Sequence, residues 1–207
     1  YLAYGSSTPA KIYFTLLPDQ YIGRYQLHLN IYNDADTLVD TNSLGYQDGQ
    51  GERYTSWDGK NSSNQSVSPG VYTVEIEFYD GYDHRTVTTE SYELIVYDLE
   101  ITAPTGNNRD ISFDFSSSGV CSFTATGTAG ASSLNSYLQW SLGGVSGSTL
   151  TSDPSPATGS SVTFTYTGLP SSNGEFGSKT LTLSLNHPDI QTPDVSETVT
   201  VFFEPVS

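Results

Sequence analysis

Val71-Tyr-Thr-Val-Glu-Ile-Glu-Phe-Tyr79 decides the fold. Tyr72, Val74, Ile76 and Phe78 alternate with Thr73, Glu75 and Glu77, and a period of two puts the first set on one face of a strand and the second on the other. One side of this strand is built for a core and the other for water. Working outward, Ser68-Pro-Gly70 punctuates the chain just before it, and Asp80-Gly-Tyr-Asp83 turns it into a second extended run, Arg85 to Tyr97.

Upstream, Lys11 to Leu17 reads as a strand, and so does Tyr25-Gln-Leu-His-Leu-Asn-Ile-Tyr32. In the latter, Leu27, Leu29 and Ile31 share one face and Gln26, His28 and Asn30 share the other. Asn33-Asp-Ala-Asp36 is a turn leading to Thr37-Leu-Val-Asp40, because short polar side chains bond their own backbone and tolerate left-handed conformations. No window carries the i, i+3, i+4, i+7 pattern of an amphipathic helix.

Ala103-Pro-Thr-Gly-Asn-Asn108 interrupts the pattern. Beyond it come candidate strands at 110–115, 120–126, 137–142, 161–167, 179–185 and 196–203, separated by turn-rich segments such as Ser152-Asp-Pro-Ser-Pro156 and Pro170-Ser-Ser-Asn-Gly174. Short strands without intervening helices argue for antiparallel sandwiches, and 207 residues suit two domains of this size. The expectation is an all-β chain of two tandem immunoglobulin-like antiparallel β-sandwiches. Residues 1–9 form an extended arm, 10–98 the first domain, 99–104 a linker and 105–207 the second domain.

Composition narrows the function. The net charge is -16, with 14 acidic against 5 basic side chains in residues 1–98 and 9 against 2 thereafter, so both halves repel phosphate backbones. Nucleic acid is excluded as a partner. No stretch reaches the roughly 18 to 20 apolar residues of a membrane span, so no membrane insertion is expected. The chain opens at Tyr1 without Met or a charged-then-apolar leader, so any secretion signal is expected to be removed already or to lie outside this sequence. Abundant Ser, Thr, Gly and Asn, no Met and few Lys or Arg suit an exported β-protein, hence an extracellular or cell-surface location. Cys121 is the only cysteine and rules out an internal disulfide; beside Val120 and Phe123 it reads as a core residue.

Two stretches carry a family resemblance. Leu29-Asn-Ile-Tyr-Asn-Asp-Ala-Asp-Thr-Leu-Val39, Ser56-Trp-Asp-Gly-Lys-Asn61 and Val67-Ser-Pro-Gly-Val-Tyr-Thr-Val74 together resemble the Ig-like domain of the flagellar hook-capping protein over roughly residues 10–97. The segments Gly45 to Arg53 and 19–24 depart from it. Trp57 supplies a large buried plate, Asp58-Gly59 a turn, and Pro69-Gly70 a sharp entry to a strand whose Tyr72 points inward. The second half is similar to bacterial Ig-like repeats of large secreted or surface proteins, through Cys121-Ser-Phe-Thr-Ala-Thr-Gly127, Leu138-Gln-Trp-Ser141, Val162 to Pro170 and Phe176 to Leu183. There Cys121 and Trp140 take the core places that a disulfide cysteine and its tryptophan fill in antibody-type domains. Neither resemblance implies a catalytic residue.

Chemistry is sparse. His28, His84 and His187 stand in unrelated contexts, no Gly-x-Ser-x-Gly occurs, and zinc spacings such as His-Glu-x-x-His or paired Cys-x-x-Cys are missing. No cofactor is expected apart from calcium, which accepts loop carboxylates. Asp34 with Asp36 is the better candidate pair and Asp80 with Asp83 the second, although solvated turn carboxylates are the simpler reading of both. Asn61-Ser-Ser63 and Asn64-Gln-Ser66 fit the N-glycosylation pattern and mark an exposed loop.

Tyr21, Tyr46, Tyr54, Tyr79, Tyr82 and Tyr92 exceed what one core holds, and outward tyrosines suit sugar stacking or subunit contacts. Tyr1, Leu2 and Tyr4 of the arm are candidates for adding a strand to a neighbour's sheet. The function expected first is a non-catalytic structural subunit of a surface filament, or a rigid spacer, partnered by itself or by neighbouring domains. A carbohydrate-binding or adhesin module with glycan partners stands second. A hydrolase with two carboxylates about 5 to 10 Å apart in a cleft stands last.

Overall fold

The structure is a computed structural model that describes residues 1–16, 24–48, 50–80, 86–104, 109–113, 120–143, 151–153, 157–167, 177–188 and 195–205. The chain divides into two compact units, Tyr1–Tyr97 and Asp98–Ser207.

Among the described residues, unit 1 is built from β1 (Leu2–Ala3), β2 (Ala10–Leu16), β3 (Arg24–Asn33), β4 (Leu38–Asp48), β5 (Gly51–Trp57), β6 (Gly70–Asp80) and β7 (Thr86–Tyr97). One sheet has the order β1-β7-β6-β3-β4, and β2 pairs with β5 in the other. Every pairing is antiparallel except β1 on β7, where Leu2 lies opposite Val96 and Ala3 opposite Tyr97. Alternation makes the core: Leu27, Leu29 and Ile31 of β3, Tyr72, Val74, Ile76 and Phe78 of β6, and Ala10, Ile12, Phe14 and Leu16 of β2 are buried in one cluster. Each fully buried Leu, Ile or Phe contributes about 1.5–3 kcal/mol. Phe14 and Tyr25 meet the Phe78 ring edge-on, each with centroids 6.2 Å away.

The Trp57 motif performs as its chemistry suggests. Its ring is buried 5.4 Å from that of Tyr72, and its Nε1–H donates to the Lys60 carbonyl at 2.8 Å. The Tyr72 hydroxyl donates back to the Ser68 carbonyl at 2.7 Å, the corner that pins the start of this strand in immunoglobulin-type sandwiches. Between Trp57 and Lys60, Gly59 has φ +75° and a Cβ there would lie 2.6 Å from Leu2 Cδ2, so glycine both permits the turn and leaves room for the first strand.

Unit 2 contains β8 (Glu100–Ala103), β9 (Arg109–Phe113), β10 (Val120–Thr128), β11 (Leu138–Gly143), β12 (Thr151–Asp153), β13 (Ala157–Thr158), β14 (Ser161–Thr167), β15 (Gly177–Leu185) and β16 (Val195–Pro205), with a 3₁₀ turn at Asn135–Tyr137. Its sheets run β12-β14-β10-β8 and β13-β11-β15-β16-β9. Trp140 is buried on β11 and donates through Nε1 to the Gly159 carbonyl at 2.8 Å. A Cβ on Gly127 would sit 3.0 Å from the Trp140 ring, 2.9 Å from the Glu100 carbonyl and 2.6 Å from Leu183, so this glycine lets β8, β10 and the core close on one another. Cys121 lies in β10 opposite Tyr166; its side chain lies outside the described residues.

Both units follow one plan. A strand near the start of each unit runs parallel to its last strand (β1 on β7; β9, which follows β8, on β16), and the last two strands of each unit, β6 with β7 and β15 with β16, pair within its larger sheet. This is an immunoglobulin-like β-sandwich, all-β in both halves. The stretch 99–104 expected as a linker contains β8, which pairs with β10, and the Asp98 N–H donates to the Ala129 carbonyl at 3.0 Å.

Candidate functional site

Three places in unit 1 hold the candidate calcium pair, the arm residues and two of the exposed tyrosines singled out from the sequence, Tyr54 and Tyr92. Asp34 and Asp36 are exposed in the turn after β3. The turn is organised by Asn33, whose Oδ1 accepts the N–H groups of Ala35 and Thr37 at 3.0 Å each, while Asp36 takes φ +54°. Asp34 is close enough to help burial hold the Tyr72 phenol above its ordinary pKa. Asp36 borders a shallow depression with Tyr32, Thr73 and Glu75. Among the described residues no group of three or more His, Cys, Asp or Glu is placed to share a metal ion. Asp83 lies outside the described residues.

Tyr1, Leu2 and Tyr4 sit on their own domain. Leu2 is 4% exposed and belongs to the core, and the Tyr4 N–H donates to the Tyr97 carbonyl at 2.7 Å. The Tyr1 ring lies 6.3 Å from that of Tyr97, and both Tyr1 and Tyr4 are exposed. For these residues to pair with a neighbour, β1 would first have to leave β7.

The third place is the free side of β2. Lys11, Tyr13 and Thr15 point outward between the buried Ala10, Ile12, Phe14 and Leu16. Tyr13 and Tyr54 are 61% and 62% exposed, with ring centroids 5.9 Å apart, and Lys11 Nζ stands 5.2 Å over the Tyr54 ring. A groove beside them is lined by Tyr13, Phe14, Thr15, Glu52, Glu90 and Tyr92. The Tyr92 hydroxyl donates to Glu90; partial burial, then that hydrogen bond and the Glu90 charge, push its pKa up to about 12. Tyr13 was missing from the outward tyrosines expected above, although its place between Ile12 and Phe14 signals it. Of those that were named, Tyr46, Tyr54 and Tyr92 are exposed, Tyr79 is partly covered and donates to Glu77 at 2.8 Å, and Tyr21 and Tyr82 lie outside the described residues.

On the opposite sheet, Asn30 is 8% exposed although it points away from the core. It is covered by a polar network in which its amide donates to Glu77 at 2.9 Å and Thr41 donates to its Oδ1 at 2.7 Å. The His28 ring packs 5.2 Å from Tyr79, whereas His187 belongs to unit 2 and packs 4.2 Å from Tyr137; His84 lies outside the described residues.

Residues 8–81 match the family model of the FlgD Ig-like domain. Among solved structures, the chain is similar to FlgD from P. aeruginosa, with 25% identity, a TM-score of 0.35, and 48% of this chain and 72% of that one covered. It is also similar to human CDH23 EC21-23, with 13% identity, a TM-score of 0.40 and coverage of 88% and 58%. Domains 4 and 5 of the S-layer protein SbsC give 14% identity, a TM-score of 0.28 and coverage of 86% and 98%. TM-scores this low assign nothing beyond the topology already described. No curated protein matches the chain. The first of the two Ig-like units therefore carries an Ig-like domain of the FlgD type, at residues 8–81.

Proposed function

We propose that the protein is a non-catalytic, extracellular structural component whose Ig-like units act as a spacer or subunit in a bacterial surface assembly. The observation that carries this reading is the parallel pairing, in both units, of a strand near the start with the last strand, β1 with β7 and β9 with β16. Tension entering at the start of β1 and leaving at the end of β7 pulls the two strands past each other, as it does β9 and β16 once β8 has come away from β10, so the hydrogen bonds between them share the load instead of opening one at a time. Two such units in series, the first of FlgD type, suit a part that transmits force or holds distance. The acidic surface keeps such units apart in solution. Light scattering and negative-stain microscopy of the 207-residue chain test which structural role it plays. Ordered polymers support a subunit and a stable monomer supports a spacer, while hydrolysis of glycan or peptide substrates by the purified chain would contradict both.

A second reading, glycan binding, is favoured by the exposed Tyr13–Tyr54 pair with Lys11 above it, since phenol rings stack on sugar faces and a polar rim bonds hydroxyls. A glycan array probed with the wild-type chain and with Tyr13→Ala/Tyr54→Ala decides it: binding that the double variant loses supports it, and no binding removes it.

A further inference from the structure

The two units solve the same edge differently. In unit 2, β10 is flanked by β14 on one side and by β8 on the other, and Ile101 of β8 is buried. In unit 1, β2 pairs with β5 alone among the described residues, so no described strand lies beside the other row of β2 backbone N–H and C=O groups.

The register identifies what is left over. Gly177 lies opposite Phe203 and Leu183 opposite Glu197; Gly70 lies opposite Val96 and Ile76 opposite Glu90. Glu90 is thus the counterpart of Glu197. In unit 2 the Glu197 carboxylate accepts the backbone N–H of Ile101 at 2.6 Å and so clamps β8 in place. In unit 1 the counterpart carboxylate stands in the groove beside β2, holding only the hydroxyl of Tyr92 among the described residues.

We propose that the free edge of β2 accepts an extended strand from a separate polypeptide, which pairs antiparallel with β2 as β8 pairs with β10 and gives a backbone N–H to Glu90. Unit 2 supplies the chemistry of the donor: an apolar residue facing inward between polar ones facing out, as in Glu100-Ile-Thr-Ala103. Glu52 and Glu90 in the groove add a preference for a basic residue in the donor. A second copy of this chain is the poorer donor, because it carries the same charge of -16 and its β8 is already committed to its own β10. The inference deepens the assembly reading by naming a class of partner, and its test reads peptide capture, so that either can fail alone.

The probe is a synthetic peptide of Leu99–Ala103 with Glu100→Lys, added at millimolar concentration to the isotope-labelled full chain, with amide exchange measured by NMR. Alternate amides of Ala10–Leu16, those facing away from β5, exchange fast without peptide and slow about tenfold with it. Glu90→Ala weakens the peptide about tenfold through loss of a charge-assisted acceptor. Tyr92→Phe, which frees Glu90 and keeps the ring, binds at least as well as wild type. A peptide N-methylated at the isoleucine does not bind. Unchanged exchange, equal binding by Glu90→Ala, or a chain that dimerises with these amides already protected would each overturn the proposal.

Discussion

Gly59→Ala tests how the first strand is held. The substitution places a methyl group 2.6 Å from Leu2 Cδ2 at a residue with φ +75°. An L-residue in that conformation costs about 1–2 kcal/mol. Moving Leu2 out of a site where it is 4% exposed forfeits part of its burial, about 1.5 kcal/mol or more. The sum is about 3 kcal/mol from unit 1, with β1 loosened from β7. Leu2→Ala alone costs about 2 kcal/mol or more. In a Leu2→Ala background the clash is gone, and Gly59→Ala should then cost only its backbone part, leaving a coupling of about 1.5 kcal/mol between the two sites. Native-state hydrogen exchange at the amides of β3 and β6 reads unit 1 by itself. Strictly additive effects of the two substitutions would refute the close approach of Leu2 to the Asp58-Gly59 turn.

Further predictions concern single groups. Tyr72→Phe removes the bond to the Ser68 carbonyl and should cost unit 1 about 0.5–1.5 kcal/mol, with exchange in unit 2 unchanged. Gly127→Ala crowds Leu183, Trp140 and the Glu100 carbonyl; it should destabilise unit 2 by about 1–3 kcal/mol and expose β8 amides first. Tyr92 should ionise at about pH 12, against the ordinary 10.0, and an ultraviolet titration of Tyr92→Phe should lack that late phase. Because the fold favours its neutral phenol, its contribution to stability is complete below about pH 10 and is lost as pH rises through about 12.

Strands with an apolar face were legible in the sequence. Val71 to Tyr79 falls within β6, and Leu27, Leu29 and Ile31 point inward as their spacing requires. Both tryptophans are core residues for the same reason. Among the strands that escaped notice, β5 and β8 did so because they carry almost no apolar signal. Gly-Glu-Arg-Tyr-Thr-Ser ahead of Trp57 forms β5, held by backbone pairing with β2 and buried fully only at Trp57. Glu100-Ile-Thr-Ala103 offers one apolar residue and a following proline, which reads as a linker until β10 is seen beside it. The groove beside β2 was not legible at all, because it depends on which strand lacks a neighbour and on Glu90 and Glu197 sharing one register position. That correspondence appears only once both sheets are paired.

The most direct test of a force-transmitting role is to pull the 207-residue chain by its two ends in a single-molecule force experiment. Two separate unfolding events are predicted, the weaker from unit 1, where β1 and β7 share two residue pairs, and the stronger from unit 2, where β9 and β16 share five. Proline at Ile111 or at Ser112 should lower the stronger event in at least one of the two variants, since successive residues of β9 aim their N–H groups to opposite sides. Featureless extension at low force, or a stronger event untouched by both prolines, would contradict the account.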